Sequence, residues 1–415
     1  MTSGLGHVRS TTLWEAGRVI GWDATTRQAE RFREQVTAAR PSAVAAAVPT
    51  GQALVTVLVA ARGLGSNVVI TGPTVSDTHL AALGVDTVVE WPDPSGDCTV
   101  RRVTGAMTPS VPAEPGLWLL SSGTTGEPKP THWPWRSLAH GEWGRGNEHW
   151  AIGYAPHSFA GVSATCQALG RAATLEFVRP AELAAPRPDA APLTVAAATP
   201  SFWRLAAIAT RDPAEFRRVD TVTIGGEPTD ASLLRLLSST VAPRRIKQIF
   251  GTTELGTVIH VDDGQAGLPE ELRGRRLPSG AAFDVRDGKL CISVAPDAPF
   301  VDTGDQVRID EGRVHVVGRA GVFVNVGGLK ANPYRVAQVL QQHESVLAAR
   351  AYGLRNPLLG QVVAADVVLR RDRDPLLLIP ELKRYSAGLL DAHERPQRIR
   401  SVESLAVAES GKVQL

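Results

Sequence analysis

Apolar residues fall in short, nearly uninterrupted runs over the first half of the chain and in alternating runs over much of the second. From Ala43 the runs Ala43–Val48, Ala53–Ala61 and Asn67–Ile70 are divided by glycine and polar residues. Short runs suit strands buried on both faces and the longer one suits a buried helix, so strand, helix, strand is expected. Val85–Glu90, Gly116–Leu120 and Leu193–Ala198 read as further strands, and Val162–Leu169 as a helix of small residues. The charged stretch Arg27–Arg40 reads as a surface helix, and the run from Trp135 through Trp150 as helical. Pro180–Pro192 reads as a connecting loop, and Pro200–Leu205 opens a helix with proline in its first turn. Gly63-Leu64-Gly65 follows a helix rather than opening one, and is read as its cap.

Thr221–Gly225 and Arg245–Phe250 are strands that end on or just before glycine, with a helix over Asp230–Ser238 between them. Beyond Gly274 the texture becomes short alternating strands at Ala282–Val285, Leu290–Val294, Gln306–Ile309 and Arg313–Val317. Strands at Val346–Tyr352 and Gln361–Leu369 then mix with helices at Pro333–His343 and Pro380–Asp391. The pattern predicts an α/β protein: a large N-terminal domain of mixed and parallel sheets with helices, residues 1–318, including a β-rich subdomain at about 274–318. A small α+β C-terminal domain, 319–415, follows.

Composition narrows the class. At 415 residues more than one domain is expected. Basic and acidic residues number 44 and 42 and are interspersed, which points away from nucleic acid and from an anionic membrane. Cys98, Cys166 and Cys291 are too few and too scattered for a disulfide framework or a Cys-rich metal site, and a reducing cytoplasm fits them. No run reaches the ~18 apolar residues of a membrane span, and no signal pattern opens the chain.

The candidate chemistry centres on Ser121-Ser122-Gly123-Thr124-Thr125-Gly126-Glu127-Pro128-Lys129. Glycines let backbone N–H groups approach an anion, hydroxyls donate further bonds, and Lys129 adds a positive charge. The order differs from the P-loop of nucleoside triphosphatases, because Pro128 precedes the lysine. Read alone, it also fits a flexible turn with a solvated lysine. Gly225-Gly226-Glu227, Phe250-Gly251-Thr252-Thr253-Glu254, Asp302-Thr303-Gly304-Asp305, Gly318-Arg319 and Ser410-Gly411-Lys412-Val413 follow in order. Each is compatible with a bland role: a tight turn before a helix, a solvated strand end, a hairpin turn, a frayed terminus.

Together these motifs resemble those of the adenylate-forming superfamily, which includes acyl- and aryl-CoA ligases, firefly luciferase and the adenylation domains of peptide synthetases. The resemblance covers residues 116–412. It implies that Ser121, Ser122, Gly123, Thr124, Thr125, Gly126 and Lys129 hold the phosphates of ATP. It implies that Gly225, Gly226 and Glu227 accept adenine, that Phe250, Gly251, Thr252 and Thr253 border the nucleotide, and that Glu254 binds Mg²⁺. Asp305 would accept from the ribose hydroxyls, Arg319 would reach ribose or phosphate, and Lys412 would bridge carboxylate and α-phosphate. Thr124, Glu254 and Lys412 are the residues expected to act in catalysis. The small C-terminal domain would be a mobile lid.

Departures from the family pattern bear on the second step. Gly321 stands where the hinge usually carries Asp or Lys, Arg335 replaces a glutamate, and Phe159 aligns with a histidine common in CoA ligases. His157 lies nearby and reads as a polar loop residue. No aspartate stands where amino-acid-activating domains hold an ammonium group. The expectation is a cytoplasmic ligase that makes an acyl-AMP from a small aromatic or aliphatic carboxylic acid. It would pass the acyl group to CoA or to the phosphopantetheine of an acyl or peptidyl carrier protein. An amine or nitrogen-oxyacid acceptor, and an inactive nucleotide-binding homologue, are the alternatives.

Overall fold

A computed structural model describes residues 11–405 except 65–66, 94–95, 107–113, 122–128, 139–145, 187–188, 211 and 371–372. The chain divides into two compact units, Met1–Val178 with Pro192–Ala197, and Arg179–Ala191 with Ala198–Leu415.

In the first unit a six-stranded sheet runs in the order Thr99–Arg102, Thr87–Glu90, Val44–Ala47, Val68–Thr71, Gly116–Ser121, Lys129–Pro134. The inner four strands are parallel and the two edges antiparallel. Ala46 sits opposite both Ile70 and Val89. That is why these strands read as continuous apolar runs: both faces are covered. A second group of strands, Leu193–Ala198, Glu148–Ile152, Ala172–Phe177 and Thr12–Glu15, is parallel, with Arg18–Ile20 turned back on its edge.

The helix Trp22–Ala39 buries Thr25, Ala29, Phe32 and Val36, the stripe expected of helical period. The helix Gly51–Leu64 is buried from Ala53 through Ala61 and joins the same core. Its N-terminus is already satisfied, because the Glu15 carboxylate accepts from the N–H of Gly51 at 2.8 Å and of Gln52 at 2.9 Å. The helix ends at Leu64, so Gly63 and Leu64 form its last turn, and Gly65 lies outside the described residues.

The second unit holds the parallel pair Val219–Gly225 and Arg245–Thr252, with Gly256–Val261 antiparallel beside it. An antiparallel five-stranded sheet of Leu268–Pro269, Arg313–Arg319, Val301–Asp310, Lys289–Ser293 and Ala282–Arg286 follows. A third sheet combines Leu329–Ala331, Val324–Val326, Gly360–Leu369, Val346–Asn356 and Arg398–Ser401. The helices Pro333–Gln342 and Pro375–Ala387 cover one face of it through Val336, Leu340, Leu378 and Leu382. The result is a mixed α/β protein, as the pattern predicts. Among the described residues no helix is long and apolar enough to cross a membrane.

Several elements differ from their sequence expectation. The helix expected through Trp150 is described only over Trp135–Leu138, and Glu148–Ile152 is a strand held between two parallel neighbours. Tertiary pairing there overrides a run without clear period. Pro180–Ala184 is a short helix inside the expected loop. The last helix starts at Pro375 behind the cap Asp374 and carries Pro380 inside, where a start was expected.

Candidate nucleotide site

The strand Val219–Gly225 delivers Gly225 opposite Ile249 of its parallel neighbour, and the chain turns at Gly226 with φ +85°. That left-handed turn brings Glu227 back to the start of the helix Pro200–Ala209. The Glu227 carboxylate accepts from the Ser201 N–H and from its hydroxyl, both at 2.8 Å. The expected adenine loop is therefore also a brace for a helix N-terminus, a role its sequence does not announce.

The neighbouring strand carries Phe250 onto the core of the β-rich part and ends in a tight turn. At Gly251 a Cβ would lie 2.6 Å from the Gly256 carbonyl oxygen, so glycine is required for this close approach. Thr252 is buried and its hydroxyl accepts from the Leu255 N–H at 3.1 Å, which fixes the turn. Glu254 is exposed at its tip. Among the described residues no group of three or more His, Cys, Asp and Glu gathers as a metal cage. A single exposed carboxylate suits magnesium, which keeps waters and takes its other oxygens from phosphate.

Asp305 and Arg319 face each other across adjacent antiparallel strands, Nε donating to Oδ1 at 3.0 Å. The carboxylate is nearly buried, while the guanidinium is 38% exposed, with donors left for a ligand. Thr303 supports this arrangement by donating to the Leu290 carbonyl at 3.0 Å and accepting from the Asp305 N–H at 3.2 Å. The Thr-Gly-Asp segment lies inside the strand Val301–Asp310, so it is not the hairpin tip that its composition also allowed.

A cleft of about 430 Å³, counting the portion open to solvent, is lined among others by Glu227, Gln248, Phe250, Gly267, Leu268 and Val316. Gln248, Gly267 and Leu268 were not legible as site residues. Gln248 could have been found by period two, since it precedes Phe250 by two positions on one strand. Arg313 holds the loop that brings in Gly267, donating to Asp263 and to the carbonyls of Gln265, Ala266 and Gly267.

In the first unit Ser121 and Lys129 are paired partners at the facing ends of two antiparallel strands, and the Ser121 hydroxyl donates to the Lys129 carbonyl at 3.3 Å. Ser122, Gly123, Thr124, Thr125 and Gly126 lie outside the described residues, as does Lys412. Phe159 begins a helix capped by Ser158, its ring centroid 5.3 Å from that of Trp133. The His157 ring packs on Gly72, where a Cβ would lie 3.2 Å from Nε2. Thr253 is half-buried beside Glu254.

Comparison with known proteins decides the family. The profile described as AMP-binding enzyme matches residues 13–295, more than half the chain, and the AMP-binding enzyme C-terminal domain matches 335–412. The chain belongs to the AMP-binding enzyme family. It is 23% identical over 261 residues to a mitochondrial acyl-coenzyme A synthetase of Rattus norvegicus, covering 54% of this chain and 44% of that protein. It is 26% identical over 323 residues to a 4-chlorobenzoate–CoA ligase of an Arthrobacter species, covering 65% and 60%. The chain thus spans less than two thirds of either relative.

Solved structures of the AMP-binding enzyme fold extend the likeness along the whole chain. A benzoate CoA ligase from Burkholderia xenovorans superposes with TM-score 0.71 at 18% identity, covering 98% of this chain and 96% of that one. An anthranilate CoA ligase in complex with anthranoyl-AMP gives TM-score 0.71 at 15% identity, covering 98% and 93%. At such identities these neighbours establish the fold, and with the family profiles they bear out the resemblance to adenylate-forming enzymes.

Proposed function

We propose that this protein is an ATP-dependent acid ligase that activates a small aromatic or aliphatic carboxylic acid as its acyl-AMP and then passes the acyl group to a thiol. The observation that carries the reading is the Asp305–Arg319 pair, a nearly buried carboxylate and a half-open guanidinium; Arg319 ends the strand whose Val314 and Val316 line the Glu227–Phe250 cleft. A ribose offers hydroxyl donors to the one, and a phosphate offers acceptors to the other. Membership of the AMP-binding enzyme family and the CoA-ligase relatives support the same class.

In this reading Ser121, Ser122, Gly123, Thr124, Thr125, Gly126 and Lys129 position the phosphates of ATP. Gly225, Gly226 and Glu227, with Phe250, Gly251, Thr252 and Thr253, border adenine and its sugar. A substrate carboxylate oxygen attacks the α-phosphorus, the bond from that phosphorus to the bridging oxygen breaks, and pyrophosphate leaves. Lys412 stabilises the charge that builds on the α-phosphate oxygens. Glu254 would hold magnesium, which when bound neutralises the departing phosphates. A thiol of CoA or of a carrier protein's phosphopantetheine then attacks the acyl carbon, AMP leaves, and the thiol proton goes to solvent. Residues 319–415 act as the lid that serves the two steps in turn, in a cytoplasmic protein.

The test is pyrophosphate release from ATP across a panel of aryl, fatty and amino acids, with Lys412→Ala alongside. Release with one acid class, reduced about a hundredfold or more by the substitution, supports the reading. Silence across the panel by a protein that still binds ATP contradicts it.

A further inference from the structure

The helix Pro333–Gln342 is docked on the end of the strand that supplies Arg319. Its cap residue Asn332 donates to the Val317 carbonyl at 3.1 Å, and Gln338 donates to the Val316 carbonyl at 3.3 Å. Between these bonds the helix approaches Gly318 so closely that a Cβ there would lie 2.9 Å from Asn332 Nδ2 and 3.2 Å from Tyr334 Cδ2. Gly318 also sits at φ +150°, so two constraints favour glycine at this contact. The Tyr334 ring is thereby fixed against the residue next to Arg319.

The phenol is half-buried and has no hydrogen-bond partner among the described residues. The charges that bear on it are those of Arg319, Glu227 and Asp305, the same three groups that frame the candidate nucleotide site. Burial raises its pKa above the ordinary tyrosine value; the Arg319 charge works against this, and Glu227 and Asp305 add to it. The phenol therefore keeps its proton at neutral pH and remains a donor. A docked ring and an unpaired donor among ribose- and phosphate-binding groups have the character of a ligand contact rather than of packing alone.

We propose that Tyr334 is a nucleotide-contacting residue, closing the side of the Asp305–Arg319 pair and donating a hydrogen bond to a ribose or phosphate oxygen of a bound adenosine nucleotide. The proposal rests on the nucleotide-binding reading above and adds to it a residue from beyond Arg319. The helix Pro333–Gln342 then senses the nucleotide directly, because the residue that touches the ligand is held by the bonds that dock the helix.

The experiment is calorimetric titration of AMP and ATP into the full chain and into Tyr334→Phe, with Asp305→Asn as a control and the thermal midpoint of each recorded. Tyr334→Phe retains the ring on Gly318 and removes only the hydroxyl. The expected result is nucleotide binding weakened with an unchanged midpoint, about three- to tenfold for a neutral ribose acceptor and more for a charged phosphate oxygen. In turnover the KM for ATP should rise while kcat is kept. Tyr334→Phe binding as the parent does, while Asp305→Asn binds less tightly, overturns the role of Tyr334 alone. A parent protein that binds neither nucleotide overturns the functional reading itself, and with it this inference.

Discussion

At Gly51 a hydrogen atom in place of a side chain lets the helix Gly51–Leu64 start directly beneath Phe177. A Cβ there would lie 2.0 to 2.2 Å from three atoms of the Phe177 ring. Neither the ring nor a helix start held by Glu15 can move without disturbing the core. Gly51→Ala is expected to cost about 1–3 kcal/mol through overpacking, read as a lower thermal midpoint. Nothing in the sequence marks Gly51 apart from other glycines, because its partner lies far along the chain. The opposite holds for Asp305 and Arg319: a motif in sequence becomes a 3.0 Å ion pair in space. Glu227 stands between these cases. Its place after a double glycine was legible, but its two bonds to Ser201 were not, since they depend on where another helix begins.

Among elements, strands that alternate were the most legible. Ala282–Arg286 and Arg313–Arg319 appear close to where period two puts them, because one face of their sheet is buried and the other is wet. Arg398–Ser401 was missed, since arginine on alternate positions hides a single buried isoleucine. That strand is tied in by Asp366, which is almost fully buried and accepts from Arg350, Tyr352 and Arg400. Burial pushes the Asp366 carboxyl up, but the hydrogen bonds from Arg400 and Arg350 outweigh it and hold the pKa below the ordinary value. A lowered folded pKa contributes stability above the unfolded value, and that contribution is lost as pH falls through the folded value. Asp366→Asn should therefore lower the thermal midpoint near pH 7. Below about pH 4 the gap between variant and parent should begin to narrow, closing as pH falls through the lower folded value. Midpoints measured from pH 7 down to acid check both parts; a gap independent of pH contradicts the account.

For the whole molecule, sequence order carried more than local pattern. The phosphate-loop motif, the strand-end glycines, the Thr-Gly-Asp segment and the C-terminal lysine follow one another as in adenylate-forming enzymes, and the family profiles match the chain on either side of Arg319. What sequence could not give is how far each motif serves structure as well as ligand. Thr252 caps a turn and Glu227 braces a helix, each beside a position suited to a nucleotide. The proposed activity is the joining of a carboxylic acid to AMP. The most direct measurement is mass spectrometry of the protein incubated with ATP, magnesium and the acid that gives most pyrophosphate, first without a thiol and then with CoA. Acyl-AMP is expected to accumulate without thiol and to be converted to acyl-CoA and free AMP when CoA is added. ATP consumed to ADP and phosphate, with no acyl-AMP in either condition, would contradict the proposed activity.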